Sequence, residues 1–466
     1  MSLRSNFFAL GLGLGLGVVL LQASAQDLEF SVSPSPVGSG ARAAGMADAF
    51  VAIADDATAA SWNPAGLVQL EIPEISVVWA YNGLWERFGS GNHPEVDSWH
   101  DDHNLDLNYL SLVFPFPRPV FGKNATLALN YQRKYDFSRD FRFDYHPVGN
   151  LGMGGIASGL PTLSFYDFAF EQSGGLSTIT PALGFELTHR LSLGVAVNLW
   201  RSSPFGDNSW EQRTDVRTTS FTSGGAMIWG RSKTKEEYRD FSGENVSIGL
   251  LWNIRDAWSI GARYDSSFSG DADYRRRGYA MSLIPSSGFL SVTPHWTKEK
   301  RKVRFPSSFA LGVAHRFSDR FTMSMDVTRT DWNDFYVKDA SGIRYSLINA
   351  QKLDTFFTSP SFRSTYTVRL GGEYVFIPEY PGEELDRLWS VRGGVFYDQQ
   401  PASKRPDDFW GLALGVGLLM NNRVNVDMAY QFRCGRDVNA DFVRGVRGFS
   451  EDVYQHRVLM STVIYF

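Results

Sequence analysis

The stretch WGLALGVGLLMNNRVNVDMAYQFR, residues 410–433, decides the fold class. In its first half every second residue is large and apolar, and the residues opposite at 411, 413, 415 and 417 are glycine or alanine. In its second half, after a two-residue link, apolar residues alternate with Asn425, Asp427, Ala429, Gln431 and Arg433. Because the side chains of a β-strand point alternately to its two faces, this period of two predicts two adjacent strands joined by a tight turn.

The same alternation recurs along the chain and predicts about fourteen strands. They are placed at 73–83, 107–115, 124–135, 177–187, 191–201, 243–254, 257–267, 304–317, 320–332, 363–377, 386–398, 407–420, 422–434 and 452–466. Strands in soluble sandwiches usually have about 5–6 residues, whereas about ten residues let a tilted strand cross a bilayer. The pattern therefore predicts an all-β protein, a transmembrane antiparallel β-barrel with the even strand number of bacterial barrels.

The links between these strands alternate in length. Short links occur at 188–190, 255–257, 318–320 and 421–422, and long polar excursions occur at 84–106, 136–176, 202–242, 268–303, 333–362 and 435–451. Short periplasmic turns and long extracellular loops are typical of outer-membrane barrels. The last strand ends on an aromatic residue, Phe466, through which we expect the chain to engage the barrel-assembly machinery.

The N-terminus and the composition exclude other classes of protein. Arg4, an apolar stretch and the small residues Ala23-Ser24-Ala25 predict a Sec signal peptide over residues 1–25. Beyond it no run of about 18 apolar residues exists, which excludes a helical membrane protein. The formal net charge of −5 over 466 residues gives no argument for nucleic acid, and the single cysteine, Cys434, allows no internal disulfide.

Residues 26–70 do not alternate like the predicted strands. They contain alanine and other small residues at helical spacing, followed by Pro64, which fixes its own φ and keeps Asn63 out of the helical region. A barrel of about fourteen strands has a lumen that a compact module can fill. We therefore predict a small helical plug, or hatch, at 26–70 and a barrel with long extracellular loops at 71–466.

The stretch GSGARAAGMADAFVAIADDATAASWNPAGL, residues 38–67, resembles the plug of the FadL/TodX family of outer-membrane transporters. The resemblance rests on Arg42-Ala43-Ala44-Gly45 at its start and Asn63-Pro64-Ala65 at its end. DVTRTDWNDF (326–335), VRLGGEY (368–374), VRGGVFYDQQP (391–401) and the closing HRVLMSTVIYF also resemble the family, in the same order.

This resemblance implies passive, ligand-gated uptake of hydrophobic molecules, either long-chain fatty acids or aromatic hydrocarbons. It implies capture at the extracellular loops, a ligand pocket beside Leu28 and Phe30 near the mature N-terminus, and a shift of the plug. Arg42, Gly45, Asn63, Pro64 and Ala65 are the expected plug and gating residues, with a rigid structural turn as the alternative role. In the family the third strand is kinked inward, often at glycine, and makes a side exit, whereas residues 124–137 contain no glycine.

Other interpretations remain open from the sequence. A general porin without a hydrophobic substrate and a barrel hydrolase are the alternatives, although no recognisable nucleophile motif occurs. HDDH (100–103), expected on an extracellular loop, suits either a cation site or a solvated acidic loop. The basic runs YRRRGY (274–279) and KEKRKVR (298–304) are expected to contact lipid phosphates on the loops.

The apolar excursions 149–170 and 279–292 either bind ligand or seal the top of the barrel. We expect a monomer in the outer membrane of a Gram-negative bacterium. Its expected partners are a hydrophobic small molecule, outer-membrane lipid and lipopolysaccharide. Neither a cofactor, nor a catalytic residue, nor a structural metal is predicted.

Overall fold

The computed structural model describes residues 38–146, 163–221, 225–345, 362–378, 386–402, 405–439 and 448–466. The expected signal peptide, residues 26–37 of the expected plug with Leu28 and Phe30, and most of the apolar excursion 149–170 lie outside the described residues. The roles predicted for these segments therefore stay predictions.

Three kinds of element make up the described chain. The α-helices are α1 (Ala41–Gly45) and α2 (Ala59–Trp62), and the 3-10 helices are Pro64–Gln69, Pro94–Val96 and Trp332–Asp334. The strands are β1 (Glu74–Ser90), β2 (Ser98–Pro115), β3 (Ala125–Asp136), β4 (Arg139–Tyr145), β5 (Leu163–Thr188), β6 (Leu191–Trp200), β7 (Ser209–Phe221), β8 (Met227–Arg255), β9 (Trp258–Asp265), β10 (Phe268–Ile284), β11 (Phe289–Phe305), β12 (Ser308–Ser318), β13 (Phe321–Thr330), β14 (Tyr336–Lys338), β15 (Arg344–Tyr345), β16 (Thr365–Phe376), β17 (Arg387–Gln400), β18 (Asp407–Met420), β19 (Val424–Val438) and β20 (Phe449–Tyr465). No helix among the described residues is both long and apolar enough to cross a membrane.

Fourteen of the strands form a closed antiparallel barrel, as the sequence predicts. Their order around the wall is β1, β2, β3, β5, β6, β8, β9, β12, β13, β16, β17, β18, β19 and β20. The barrel closes between β1 and β20, which pair without a register shift from Glu74↔Tyr465 to Ser90↔Phe449. One chain therefore makes the whole wall, which fits the expected monomer.

The two faces of the wall follow the predicted alternation. On β18, Leu414 is 60% exposed on the outer surface, and its neighbour Ala413, which points into the lumen, is 1% exposed. On β19, Met428 is exposed while Asp427 and Gln431 are buried in the lumen. An apolar outer surface and a polar or small-residue lumen are the pattern that a bilayer selects in a barrel.

The long excursions differ from the expectation, because much of their length is strand. β5 and β8 have 26 and 29 residues, and their N-terminal halves continue beyond the barrel. These halves pair with β4, β7 and β10, and β11, β14 and β15 follow β10 in turn, in an extension that we call the outer sheet. The sheet is compatible with a polar sequence because an antiparallel sheet can keep one face in water.

Three motifs that we expected on loops therefore lie on strands. The basic runs 274–279 and 298–304 belong to the paired strands β10 and β11. HDDH lies on β2, where consecutive side chains point to opposite faces, so its four side chains do not converge on one ion. Within the described ranges, no group of three histidine, cysteine, aspartate or glutamate residues could hold a metal ion.

The orientation of the barrel can be tested by cysteine labelling on a Cys434→Ala background. Ser286 lies between β10 and β11, beyond the outer sheet, and Asp319 lies in the short link between β12 and β13. We expect a membrane-impermeant maleimide to label Ser286→Cys on intact cells and Asp319→Cys only after permeabilisation, because short turns face the periplasm. Labelling of Asp319→Cys alone on intact cells would reverse the orientation.

Candidate functional site: the plug and the aromatic cluster

The described part of the plug lies inside the barrel lumen. Residues 38–70 contain α1, α2 and the 3-10 helix Pro64–Gln69, and most of their side chains are buried. Phe50 and Leu67 pack in one apolar cluster with the wall residues Ala128, Ala182 and Ala196. Small side chains on both sides let the plug backbone approach the wall closely.

A ring of glycines on the wall makes this close approach possible. Eight strands each contribute one lumen-facing glycine, and we call the set the glycine girdle: Gly184, Gly194, Gly249, Gly261, Gly312, Gly371, Gly394 and Gly415. A Cβ atom on Gly415 would lie 2.9 Å from Cα of the plug residue Gly45, and one on Gly194 would collide with the backbone of Pro64 and Ala65. Glycine weakens a strand interior, and a site where another backbone approaches is a recognised reason for it.

Gly45, predicted from the family motif, therefore meets the girdle directly. A Cβ atom on Gly45 would lie 3.0 Å from Cα of Gly415. The girdle itself was not predicted, although the sequence carries a signal for it. In seven of the eight strands the girdle glycine directly follows leucine or isoleucine, as in Leu193-Gly194 and Ile248-Gly249.

Arg42 ties the plug to the wall through charges. Its guanidinium donates two hydrogen bonds, of 3.0 and 2.8 Å, to the carboxylate of Glu373 on β16, and it pairs with Asp55 of the plug at 2.6 Å. Glu373 also accepts a hydrogen bond of 2.7 Å from Arg392, which donates another of 2.6 Å to Asp427. These groups line a cavity of about 250 Å³ at the end of the barrel that carries the short turns. Bidentate arginine–carboxylate pairs of this kind combine strength with a fixed geometry.

Asn63, Pro64 and Ala65 form a turn that is joined to the wall. The Asn63 amide nitrogen donates hydrogen bonds to the carbonyl oxygens of Val51 at 2.8 Å and of Leu250, on β8, at 3.0 Å. Its side-chain oxygen accepts a hydrogen bond of 3.1 Å from the backbone N–H of Ala65, and Pro64 begins the 3-10 helix. Asn63 thus closes the turn and fastens it to the barrel at the same time.

The wall also holds the middle of the plug. The Asp326 carboxylate, on β13, accepts hydrogen bonds of 2.7 and 2.8 Å from the backbone N–H groups of Phe50 and Val51. The Ala41 N–H donates a hydrogen bond of 2.6 Å to the Ser461 hydroxyl on β20. The plug is therefore held by separate polar contacts rather than by a continuous sheet.

The third barrel strand is irregular although it contains no glycine. A register shift against β5 lies between Arg133 and Tyr135, so Lys134 at the bulge is 5% exposed and lies near Arg263 and Asp265. A β-bulge inserts one extra residue and re-aims the side chains around it. The third strand is thus interrupted by a register irregularity although it contains no glycine.

The ladder between β2 and β3 ends at this bulge. Its outermost pair is Tyr109↔Gln132, and beyond it Arg133 pairs with Asp106 at 3.4 Å and Asn104 contacts Asp136. Side-chain contacts thus replace backbone hydrogen bonds along this part of the wall. We call it the β2–β3 seam.

Lys134 is a buried ammonium for which the described residues supply no hydrogen bond or ion pair. The nearby carboxylate of Asp265 accepts hydrogen bonds of 3.0 and 2.8 Å from Arg263, and others from Ser247 and Ser308. Arg263 also donates to the carbonyl oxygen of Ser61 in the plug. A buried ammonium without its own counter-ion is costly and marks a place where an anion would bind.

Lys134, Arg263 and Asp265 form what we call the polar layer. An apolar cluster lies at the outer end of the lumen, on the outer side of this polar layer. Its buried members are Tyr135, Phe137, Leu176, Trp200, Trp210, Tyr238, Phe241, Phe268, Ala272, Tyr274, Val303, Phe305, Trp332, Phe335, Val337 and Phe362, and we call it the aromatic cluster. Rings stack within it, as between Trp210 and Tyr238, whose centroids are 4.5 Å apart. Tyr135 belongs to the cluster and directly follows Lys134, so the cluster and the buried ammonium are neighbours.

Beyond the cluster, apolar side chains are also exposed at the tip of the outer sheet. Phe289, Leu290, Val292 and Trp296 of β11 are all exposed. Sealing the barrel would require the excursion 279–292 to be buried, but its described apolar side chains at the tip are exposed. Exposed apolar patches of this kind often mark binding surfaces.

Comparison with known proteins identifies the family. A sequence model described as outer membrane protein transport protein (OMPP1/FadL/TodX) matches residues 168–460. The chain belongs to this family. Its members are outer-membrane transport channels of Gram-negative bacteria rather than enzymes, so the interpretation as a barrel hydrolase is wrong.

Solved structures share the fold. A FadL homologue of Pseudomonas aeruginosa superposes with a TM-score of 0.56 at 15% identity, over 93% of this chain and 99% of its own. The toluene transporter TodX of Pseudomonas putida gives a TM-score of 0.53 at 14% identity, over 94% of this chain and 100% of its own.

A relative in Neisseria meningitidis serogroup B, the outer membrane protein NMB0088, is 25% identical over 165 residues. This match covers 34% of the present chain and 33% of that protein. The chain thus matches about a third of the length of this curated relative.

Proposed function

We propose that the protein takes up hydrophobic molecules by passive, ligand-gated diffusion through its plugged barrel. The observation that carries the proposal is the aromatic cluster, which lies in the lumen directly outward of the polar layer and the plug. A water-filled porin needs polar lumen walls, whereas this lumen contains a dozen buried aromatic side chains. Apolar walls favour apolar solutes because transfer from water onto them is favourable.

The groups along the lumen suggest an order of events. Exposed apolar residues of the outer sheet would capture the molecule, and the aromatic cluster would receive it by exchanging ring contacts for contacts with the ligand. The molecule would then reach Lys134 and the plug. No energy source is needed, because each step moves the apolar part between apolar surroundings.

Lys134 favours one substrate class over the other. A hydrophobic carboxylate, such as a long-chain fatty acid, would place its tail among the aromatic rings and its anion at the buried ammonium. That anion would relieve the cost of an unpaired charge, which a neutral aromatic hydrocarbon leaves unchanged. Among the relatives, one is named a toluene transporter and another a FadL homologue, so the family likeness supports both classes.

Two exits remain, and each has an observation in its favour. Movement of the plug is favoured because it is held by separable contacts, notably those of Arg42, Asn63 and Asp326 with the wall. A side exit is favoured by the β2–β3 seam, where side chains replace the backbone ladder. We propose that the plug moves first, because the plug turn packs against the wall on the inner side of the polar layer that holds Lys134.

The test of this function is uptake by cells that lack the protein. Radiolabelled oleate, toluene and a hydrophilic disaccharide are offered to the deletion strain with and without the gene restored. We expect the gene to raise oleate uptake at least about tenfold, toluene less, and the disaccharide not at all, because only apolar solutes exchange with the cluster. Equal stimulation of disaccharide and oleate would support the porin interpretation instead.

A substitution at the plug turn tests gating. Pro64→Ala should leave folding and outer-membrane abundance intact, since the hydrogen-bond ladder of the barrel does not depend on this residue. It should loosen the turn, because proline limits its conformations by about 0.4–1 kcal/mol, and should change the oleate uptake rate severalfold. The matched control is Pro73→Ala, just before β1. Low abundance of the Pro64→Ala barrel would favour a purely structural turn, and normal abundance with unchanged uptake would rule out a gating role.

A further inference from the structure

The outward face of the outer sheet carries a row of basic side chains. They are Arg275 on β10, Lys298, Lys300 and Lys302 on β11, Lys338 on β14 and Arg344 on β15, and we call them the basic stripe. The alternate residues of β11 point inward: Arg301 lies 3.3 Å from the ring centroid of Tyr274, and Val303 is buried in the aromatic cluster. The stripe therefore faces away from the lumen, and all its members except the half-buried Arg275 are exposed.

The strand register brings like charges side by side. Arg275 is paired with Lys298, Lys302 with Lys338, and Lys338 with Arg344. Like charges directly opposite each other on neighbouring strands are destabilising. An anion bridging these pairs would remove that repulsion.

Carboxylates lie opposite only part of the stripe. Asp271 lies 3.6 Å from Lys302, and Asp273 is paired in register with Lys300. Lys298, Lys300 and Lys338 make no ion pair with the described residues. Arg275 also has the Glu237 carboxylate on β8 as its register partner, whereas Lys298 and Lys338 lie opposite other cations among the described residues, and their positive charge is open to solvent.

The position of the stripe suggests the source of the missing anion. β11 runs down to Phe305, and Phe309 of β12 is already 45% exposed on the lipid-facing surface. Seven residues separate Lys302 from Phe309, at most about 24 Å of extended chain. The stripe therefore begins within about 24 Å of the lipid-facing surface, a distance over which the phosphorylated sugars of lipopolysaccharide can reach it.

We infer that the basic stripe binds the phosphate groups of lipopolysaccharide in the surrounding outer leaflet. Phosphate oxygens accept short charge-assisted hydrogen bonds from lysine and arginine. Basic clusters close to a membrane surface add attraction to anionic lipid with each charge. Such binding would clamp the outer sheet, which roofs the aromatic cluster, against the membrane.

The test uses purified full-length protein with neutralised lysines. The test variant carries Lys298→Gln, Lys300→Gln, Lys302→Gln and Lys338→Gln. The control variant loses the same charge at the short-turn end, through Lys123→Gln, Arg190→Gln, Arg255→Gln and Arg316→Gln. Heat-modifiable migration checks that both barrels are folded, which we expect because the stripe lysines are exposed.

Binding is measured with rough-type lipopolysaccharide that carries a phosphorylated inner core, with the same material after dephosphorylation, and with phosphatidylglycerol vesicles. We expect the unmodified protein and the control to bind the phosphorylated form equally, and the test variant to bind it at least about 30-fold more weakly. With the dephosphorylated lipopolysaccharide, the test variant and the control should bind equally weakly. The inference would be overturned if the test and control variants bound the phosphorylated form equally. It would also be overturned if the unmodified protein bound the dephosphorylated form, or phosphatidylglycerol vesicles, as tightly as the phosphorylated form.

Discussion

Gly194→Val is expected to displace the plug and turn a nearly silent barrel into an ion-conducting one. Gly194 lies on β6, and the three atoms nearest to its Cβ position belong to Pro64 and Ala65 of the plug. Interiors this closely packed do not absorb extra carbon atoms without movement of one partner. The wall is locked by its hydrogen-bond ladder, so the plug should yield. Planar-bilayer recordings should then show at least about a tenfold rise in open-channel current, because a displaced plug admits water.

Gly393→Val is the matched control for this experiment. Gly393 also lies within a barrel strand, but the nearest atom to its Cβ position is 3.9 Å away. Its conductance should stay at the level of the unmodified protein, and deletion of residues 26–70 should set the upper limit. Gly194→Ala provides a milder test if the valine variant assembles poorly. A silent, correctly folded Gly194→Val barrel would show that the plug does not seal the lumen against the girdle.

Lys134→Met is expected to separate the two substrate classes. Removing one partner of a desolvated ion pair typically costs about 3–5 kcal/mol, so oleate binding should weaken by about 100-fold or more. Toluene binding should change little, because a neutral ring has no charge to place at the ammonium. Lys134→Arg should retain oleate binding, and Lys123→Met, at a short link outside the lumen, is the matched control.

The same substitution has a second effect that a purely structural lysine would not produce. Without ligand, Lys134→Met should make the barrel more stable to heat, since it removes a buried charge whose neighbouring carboxylate, Asp265, is already engaged by Arg263. Higher thermal stability together with weaker oleate binding is the expected combination. Unchanged oleate binding, or a barrel that is less stable and binds both ligands poorly, would contradict the role of Lys134 at the carboxylate.

The barrel could be predicted from the sequence because lipid and lumen impose opposite demands on alternate residues. Leu414 and Ala413 on β18 show the contrast in its simplest form, and the short links recur at one end only. The outer sheet was missed because its strands carry charged residues on both faces, as in the run 298–304, where even the inward-pointing Arg301 packs on the Tyr274 ring. There the alternation consists of lysine against glutamate, arginine and valine, which resembles a solvated loop.

The candidate site, too, could be predicted only in part. Arg42, Gly45, Asn63, Pro64 and Ala65 lie where the plug meets the wall or its own turn, but their gating role stays a prediction. The girdle could not be predicted because its glycines, one on each of eight strands, come to the same depth only through the strand register. Lys134 could not be found, because a bulge without glycine leaves no mark in the sequence.

Movement of the plug is tested most directly by locking it. The Ala41 N–H lies 2.6 Å from the Ser461 hydroxyl oxygen, so their Cα atoms are within about 7 Å of each other and cysteines can bridge them. Ala41→Cys with Ser461→Cys, on a Cys434→Ala background, is oxidised in the outer membrane, and oleate uptake is measured before and after reduction. We predict that the oxidised protein still binds oleate but takes it up at least about tenfold more slowly, and that a reductant restores uptake. Equal uptake by the oxidised and reduced protein would contradict gating by the plug and leave the β2–β3 seam as the route.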